Sequence, residues 1–393
     1  MTARAAPPPK RDWSLRSRAV RAVLYQALAL GLIALALWFL AHNTLENMRV
    51  RGIQSGFDFL TDPAGFDIGE LMIPYESIDP YWKAFLVGVL NTLRVAIIGI
   101  VMTTVLGTLL GVGRFSGNAV VRGLCYGYVE LFRNIPVLLQ LLVWYLVLTE
   151  WLPDPGEPLS LGGLFFLSKG GLSFPLPVWQ AGQALALVGA LAGAVLAWFW
   201  AGAARRKFEQ TGVPRPVFWP AMAFVLLGVL AGWLIGGAPS AWNLPRATDV
   251  AVDGGGSLTP EFISVLLGLT FYTAAFVAEV VRAGIASVPR GQSEASAALG
   301  ISPGTQMRLV VLPQAMRVII PPMTNQYLNL TKNSSLAVAI GYPDVVSISN
   351  TAINQTGRAV ECIALIMAVY LTTSLLTSGV MNWYNKRAAI KER

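Results

Sequence analysis

Charge is what this 393-residue sequence has least of: Asp, Glu, Lys and Arg make up 13% of it, against 54% apolar residues. A water-soluble surface of ordinary charge density cannot be assembled from that composition. Histidine occurs once, at His42, which excludes a histidine cluster for metal chemistry. The two cysteines, Cys125 and Cys362, lie in or beside apolar windows and have no further cysteine to work with, so neither a metal cluster nor a disulfide is expected. No lysine follows a glycine, so the phosphate loop G-x-x-x-x-G-K-[ST] is absent.

Long apolar runs are abundant. A helix crossing a bilayer needs roughly 20 mostly apolar residues, and residues 22–41, 178–204, 216–245 and 362–384 contain no charged side chain at all. The run at 22–41 follows six cations (Arg4, Lys10, Arg11, Arg16, Arg18 and Arg21) but exceeds the ~7 to 15 residues of a signal-peptide core. No small-x-small cleavage site follows Leu40, so a retained first helix is expected.

Eight membrane-spanning segments are predicted, at 22–41, 82–112, 126–149, 178–203, 216–237, 260–283, 315–340 and 361–384. The cations decide their orientation. With both termini in the cytoplasm, 20 of the 29 Lys and Arg residues fall in inward segments, six in outward segments (Arg49, Arg51, Lys83, Lys169, Arg246 and Arg358) and three within spans. The net charge of +8 thus reflects topology rather than nucleic-acid binding. Outward connections carry carboxylates such as Asp58, Asp62, Glu70 and Asp79, and those after spans 3 and 5 are Gly-, Pro- and Ser-rich and read as solvent-exposed connectors.

The inward segment between spans 6 and 7 is long for a simple turn, and residues 279–313 carry signals for two short helices. The first is predicted from Pro289 to Leu299, ended by Gly300 in a left-handed conformation. The second starts with Ser302 as N-cap and Pro303 behind it, and Pro313 is expected to end or kink it. Glu294 is expected near the N-terminus of the first, where the helix dipole favours it, and Ala295 and Ala298 are small enough for close approach by a partner.

Here the sequence resembles the membrane subunits of ABC importers, whose cytoplasmic signature is Glu-Ala-Ala, three residues, Gly, nine residues, Ile-x-Leu-Pro. Glu294, Ala295 and Ser296 occupy the triplet, Gly300 falls in register, and Val310, Leu312 and Pro313 close it, with Ser296 and Val310 as conservative departures. The resemblance implies a coupling helix that docks on a separate ATPase subunit through Gln292, Glu294, Ala295, Ala298, Leu299 and Gly300. Asn91-Thr92, residues 130–136, Glu279-Val280-Val281-Arg282 and residues 332–336 look like the polar amino-acid subfamily, and the eight-span layout resembles its larger general L-amino acid and glutamate/glutamine/aspartate/asparagine permeases.

That resemblance implies an all-α type I importer permease of the bacterial inner membrane, with a five-helix core (82–149 and 258–384, coupling loop 284–313). The additions are a basic N-terminus (1–21), a first span and periplasmic loop (22–81), inserted spans 4 and 5 (150–257) and a cytoplasmic tail (385–393). It implies no catalysis by this chain, with ATP and Mg held by partner ATPase subunits. A second, non-identical permease and a periplasmic amino-acid-binding protein are the other implied partners.

Ionisable and amide groups within spans are costly in lipid and mark candidate pathway residues. Arg94 lies deep in span 2, as a pathway or a structural ion-pair residue. Span 7 carries a polar stripe behind an expected break at Pro321-Pro322: Asn325 and Asn329 share a face, with Lys332, Asn333 and Ser334 following. They contact substrate or hydrogen-bond neighbouring helices. Glu130, Arg133, Glu279 and Arg282 sit near inner ends, where snorkelling is cheap, and Gly107 and Gly111 suit close helix packing. An ion-driven secondary transporter remains the alternative; it predicts membrane-centre carboxylates or an inverted repeat, and neither is evident.

Overall fold

The computed structural model describes residues 18–388 apart from 51, 53, 54 and 214. The N-terminal cations before Arg18 and the extreme C-terminal tail, assigned above to the cytoplasm, lie outside the described residues. Among the described residues, six helices are long and apolar enough to cross a membrane, or eight if each of two bent pairs is one span. The chain divides into two compact units, residues 1–92 with 343–376 and residues 93–342 with 377–393.

In the first unit, α1 (Arg18–Val50) continues well past the predicted end of span 1, and almost all its surface is exposed. The segment after it carries one 3-10 turn, Asp58–Thr61, and leads into α2 (Tyr81–Gly113). Phe59, Tyr81 and Phe85 pack with Val345 and Ile348 of α11 (Val345–Thr356) and Cys362 of α12 (Ala359–Ala388). The motif residue Asn91 donates its amide to the carbonyls of Glu70 and Pro343, at 3.0 Å each. Thr92 accepts from the Val345 amide at 3.2 Å, so this motif fastens loop and helix termini together. Arg358, 6% exposed, donates two hydrogen bonds to the Asp58 carboxylate at 2.8 and 2.9 Å.

In the second unit, the segment predicted as one span is two helices, α3 (Ala119–Asn134) and α4 (Val137–Leu146), bent by 104°. Pro136 cannot donate to the ladder and drives Ile135 into an extended conformation, which overrides the continuous apolar run. Gln140, 4% exposed, repairs the break by donating to the freed carbonyls of Phe132 (3.0 Å) and Ile135 (2.9 Å).

Helices α5 (Ala181–Thr211) and α6 (Phe218–Ile235) form a hairpin whose remaining surface is largely exposed. Their backbones touch: a Cβ on Gly189 would stand 2.0 Å from the Gly228 carbonyl oxygen, and one on Gly232 2.1 Å from that of Leu185.

The flanking connectors are more ordered than their composition predicts. β1 (Leu159–Leu161), β2 (Phe165–Ser168), β3 (Gly171–Phe174) and a strand at Gly256–Leu258 form an antiparallel sheet in that order. Gly162 and Gly163, at φ +63° and +70°, supply the two left-handed residues that a tight β1–β2 turn requires. β4 (Leu176–Pro177) pairs with β5 (Trp242–Asn243) where the chain enters and leaves the hairpin, and β6 (Arg246–Ala247) pairs with β7 (Val252–Asp253); the Gly256–Leu258 strand is β8.

α7 (Pro260–Ala286) is the most buried of the candidate spans. The expected close packing against span 2 is present: a Cβ on Gly107 would meet Val277 at 2.5 Å, and one on Gly111 the Ala278 carbonyl at 2.8 Å. The short helices α8 (Arg290–Ala298) and α9 (Pro303–Gln306) follow, then a π-turn at Met307–Val311 and α10 (Leu312–Asn333). Two expectations fail here. Pro313 does not end the helical run: the π-turn at Met307–Val311 just ahead of it takes up the missing N–H, and α10 continues through it. Pro321 and Pro322 lie inside a continuous helix, with Ile319, Ile320 and Met323 buried around them. The tightening comes later, as a 3-10 segment at Ser334–Ile340 ended by Gly341.

Candidate functional site

The loop between α7 and α10 is built as a self-bracing knuckle. At the end of α8, Gly300 adopts φ +71°, its amide bonds to the Ala297 carbonyl at 2.9 Å, and the Ile301 amide reaches the Ser296 carbonyl at 3.2 Å. These paired bonds satisfy the last carbonyls of the helix and turn the chain sharply. Ser302 takes the N-cap position of α9 with extended backbone, but its hydroxyl bonds the Thr305 hydroxyl at 3.0 Å rather than a backbone amide. Gln306 then reaches back to the Ser293 carbonyl at 3.0 Å and ties α9 to α8.

Of the α8 residues singled out from the sequence, Gln292, Glu294, Ala295 and Ala298 are all exposed, as are Leu299 and Gly300 just beyond it. Leu299 is 80% exposed, an apolar side chain offered to no partner within the described chain. Only Ser296 of this stretch turns inward, at 4% exposed. Glu294 stands beyond the first turn of α8, so the predicted dipole interaction is not made.

Both ends of the knuckle run into packed helices. Val277, Val281 and Ile285 of α7 meet Val311 of the π-turn and Ala315, Ile319 and Met323 of α10 in one buried cluster.

On α10, Asn325, Asn329 and Lys332 are exposed at spacings of four and three, which places them along one face. Asn333 is half-buried. Ser334 is 1% exposed and donates to the Thr331 carbonyl at 2.7 Å, away from that face. Arg94 stacks its guanidinium over the Phe262 ring at 4.1 Å.

A constellation that residue spacing does not reveal stands at the α7 end. Glu279 accepts hydrogen bonds from Arg282 and Arg114, and Arg133 lies 3.9 Å from the same carboxylate. Arg114, only 8% exposed and stacked on Tyr126 at 3.9 Å, is held inside rather than left in the inward loop. Glu279 and Arg282 are paired rather than snorkelling independently, whereas Glu130 is exposed. The usable signal was the number of charges at helix ends, each of which needs a partner in a low dielectric.

A family model described as the inner membrane component of binding-protein-dependent transport systems matches residues 103–390, which include every helix from α3 onward, the knuckle and α10. The chain belongs to this family. It is a multi-pass transmembrane permease component, not a catalytic subunit. It is 44% identical over 388 residues to the general L-amino acid transport system permease protein of Rhizobium johnstonii, covering 97% of this chain and 96% of that one. A putative amino-acid ABC transporter permease protein of Escherichia coli is 44% identical over 389 residues, covering 98% of each. The glutamate/glutamine/aspartate/asparagine transport system permease protein of Rhodobacter capsulatus is 37% identical over 425 residues, covering 99% of each. These three relatives align with the chain nearly end to end, the α5–α6 segment included.

Proposed function

We propose that this permease imports polar L-amino acids across the bacterial inner membrane, with both of its termini in the cytoplasm and α8 as the element through which separate ATPase subunits move it. The exposed, internally braced α8 surface carries the reading: the bare Leu299 side chain stands at its end, and the helices on either side of it, α7 and α10, meet in a packed cluster. A displacement applied there passes to two spans as a rigid body. The substrate class follows the printed functions of the full-length relatives.

In this reading Gln292, Glu294, Ala295, Ala298, Leu299 and Gly300 dock on the ATPase, which holds ATP and Mg. The open face of Asn325, Asn329 and Lys332 borders the path, and Arg94, Asn333 and Ser334 are the further pathway candidates from the sequence motifs. A second permease completes the path and a periplasmic binding protein delivers substrate. The α2–α4 and α7–α12 regions form the core, and α1 and the 150–257 insertion are additions.

The test is uptake of labelled glutamate, glutamine and arginine by vesicles carrying the reconstituted complex, comparing wild type with Leu299→Glu. Leu299 is exposed, so the substitution leaves folding within ~0.5 kcal/mol. Loss of ATP-driven uptake together with loss of ATPase association is expected. Uptake without any ATPase subunit, driven by an ion gradient, would overturn the reading.

A further inference from the structure

The basic end of the α5–α6 hairpin has a cavity that the transport reading does not use. It measures about 230 Å³ and is lined by Ala201, Ala204, Arg205, Phe208, Arg215 and Val217. Part of its lining is small and apolar, with Ala204 at 6% exposed, and each arm contributes one arginine, Arg205 and Arg215. The Trp200 indole donates to the Pro216 carbonyl at 3.3 Å and holds the return arm in place.

Charge at this turn is lopsided: Arg205, Arg206, Lys207 and Arg215 face one carboxylate, Glu209, whose ion pair with Arg205 at 3.3 Å is solvent-exposed and weak. Trp198, Phe199, Phe218 and Trp219 are all more than half exposed close to the same end, the placement of aromatics at a membrane–water interface. Leu191, Leu196, Leu226 and Leu227 continue an exposed apolar surface away from it.

We propose that this cavity is a binding site for an anionic phospholipid, its phosphate held between Arg205 and Arg215 and its acyl chains lying along the bare faces of α5 and α6. Guanidinium matches phosphate geometry, and a basic pocket between membrane helices suits a lipid headgroup. The lipid is favoured over free phosphate because part of the pocket lining is apolar and opens onto a lipid-facing surface. The hairpin, which packs little against the rest of the chain, would thereby gain an anchor at its turn.

The experiment is native mass spectrometry of the full-length chain, with any co-purifying partners, released from nanodiscs of phosphatidylcholine containing phosphatidylglycerol. Wild type is expected to retain phosphatidylglycerol selectively. Each of Arg205→Gln and Arg215→Gln should reduce retention roughly 5-fold, and the pair roughly 25-fold, from about 1 kcal/mol per cation. Ala201→Leu keeps every charge but fills the cavity, and should also abolish selective retention, while Gly31→Ala on α1 should not. Equal retention of both lipids by wild type overturns the proposal. So does unchanged retention in the double variant or in Ala201→Leu, or displacement of the lipid by excess inorganic phosphate.

Discussion

The Gln306 side-chain amide donates to the Ser293 carbonyl oxygen at 3.0 Å and closes the knuckle between α7 and α10 into a braced unit. Gln306→Ala removes a bond worth ~1 kcal/mol and loosens α9 from α8. Under the proposed mechanism, ATP hydrolysis should persist while uptake per ATP falls several-fold. The check is the ratio of labelled amino-acid uptake to phosphate release in the same vesicles; an unchanged ratio would show that the tie is not used in coupling.

Gly300 stands at φ +71°, where a side chain is strained by ~1–2 kcal/mol unless it is Asn or Asp. Gly300→Asn should therefore retain most of the wild-type uptake, and Gly300→Val should lose most of it without loss of membrane insertion. Comparable activity in the two variants would refute a requirement for the left-handed turn.

Gln140 satisfies two carbonyls at the α3–α4 bend. In Gln140→Ala those carbonyls lose their donor in surroundings of low dielectric, a cost of ~1–3 kcal/mol. The expected result is a lower Tm of the detergent-solubilised protein, with little change if Pro136 is simultaneously replaced by Ala and the bend straightens.

The Arg358 guanidinium holds the Asp58 carboxyl below its ordinary value. A depressed folded-state value means the pair stabilises the first unit above about pH 4, the ordinary carboxylate range, and that this contribution is lost as pH falls through the lowered value. Thermal unfolding between neutral and strongly acidic pH should show a shallower acid-side loss of Tm for Asp58→Asn than for wild type. Superimposable acid limbs would exclude the pair as a contributor.

Much of this architecture was legible because lipid imposes a simple rule on sequence. The apolar runs of α2, α7 and α12 fall where they were read, since only a helix satisfies its own backbone in lipid and a run of that length leaves it no other fold. The knuckle was legible through local chemistry: Pro289, Gly300, Ser302 and Pro303 each occupy the helix-end position their backbone preferences suit. Two of the proline sites were misread in opposite directions. At Pro136 the apolar run continues through a real break, and at Pro321 and Pro322 the helix continues through an expected one. What decides each is packing and the availability of a repair donor such as Gln140, which appear only in three dimensions. Arg114 was hidden for the same reason, because its partner Glu279 is 165 residues away.

The glycine seam between α5 and α6 has a further consequence. With backbone resting on backbone and the two arms returning side by side at Pro177 and Trp242, the hairpin enters and leaves the rest of the chain through a single doorway. Such a piece behaves as a cassette: it can be excised at that doorway and its ends rejoined across one strand spacing of about 5 Å. Insertions and losses of this hairpin among permeases then require no repacking of the helices that carry the knuckle.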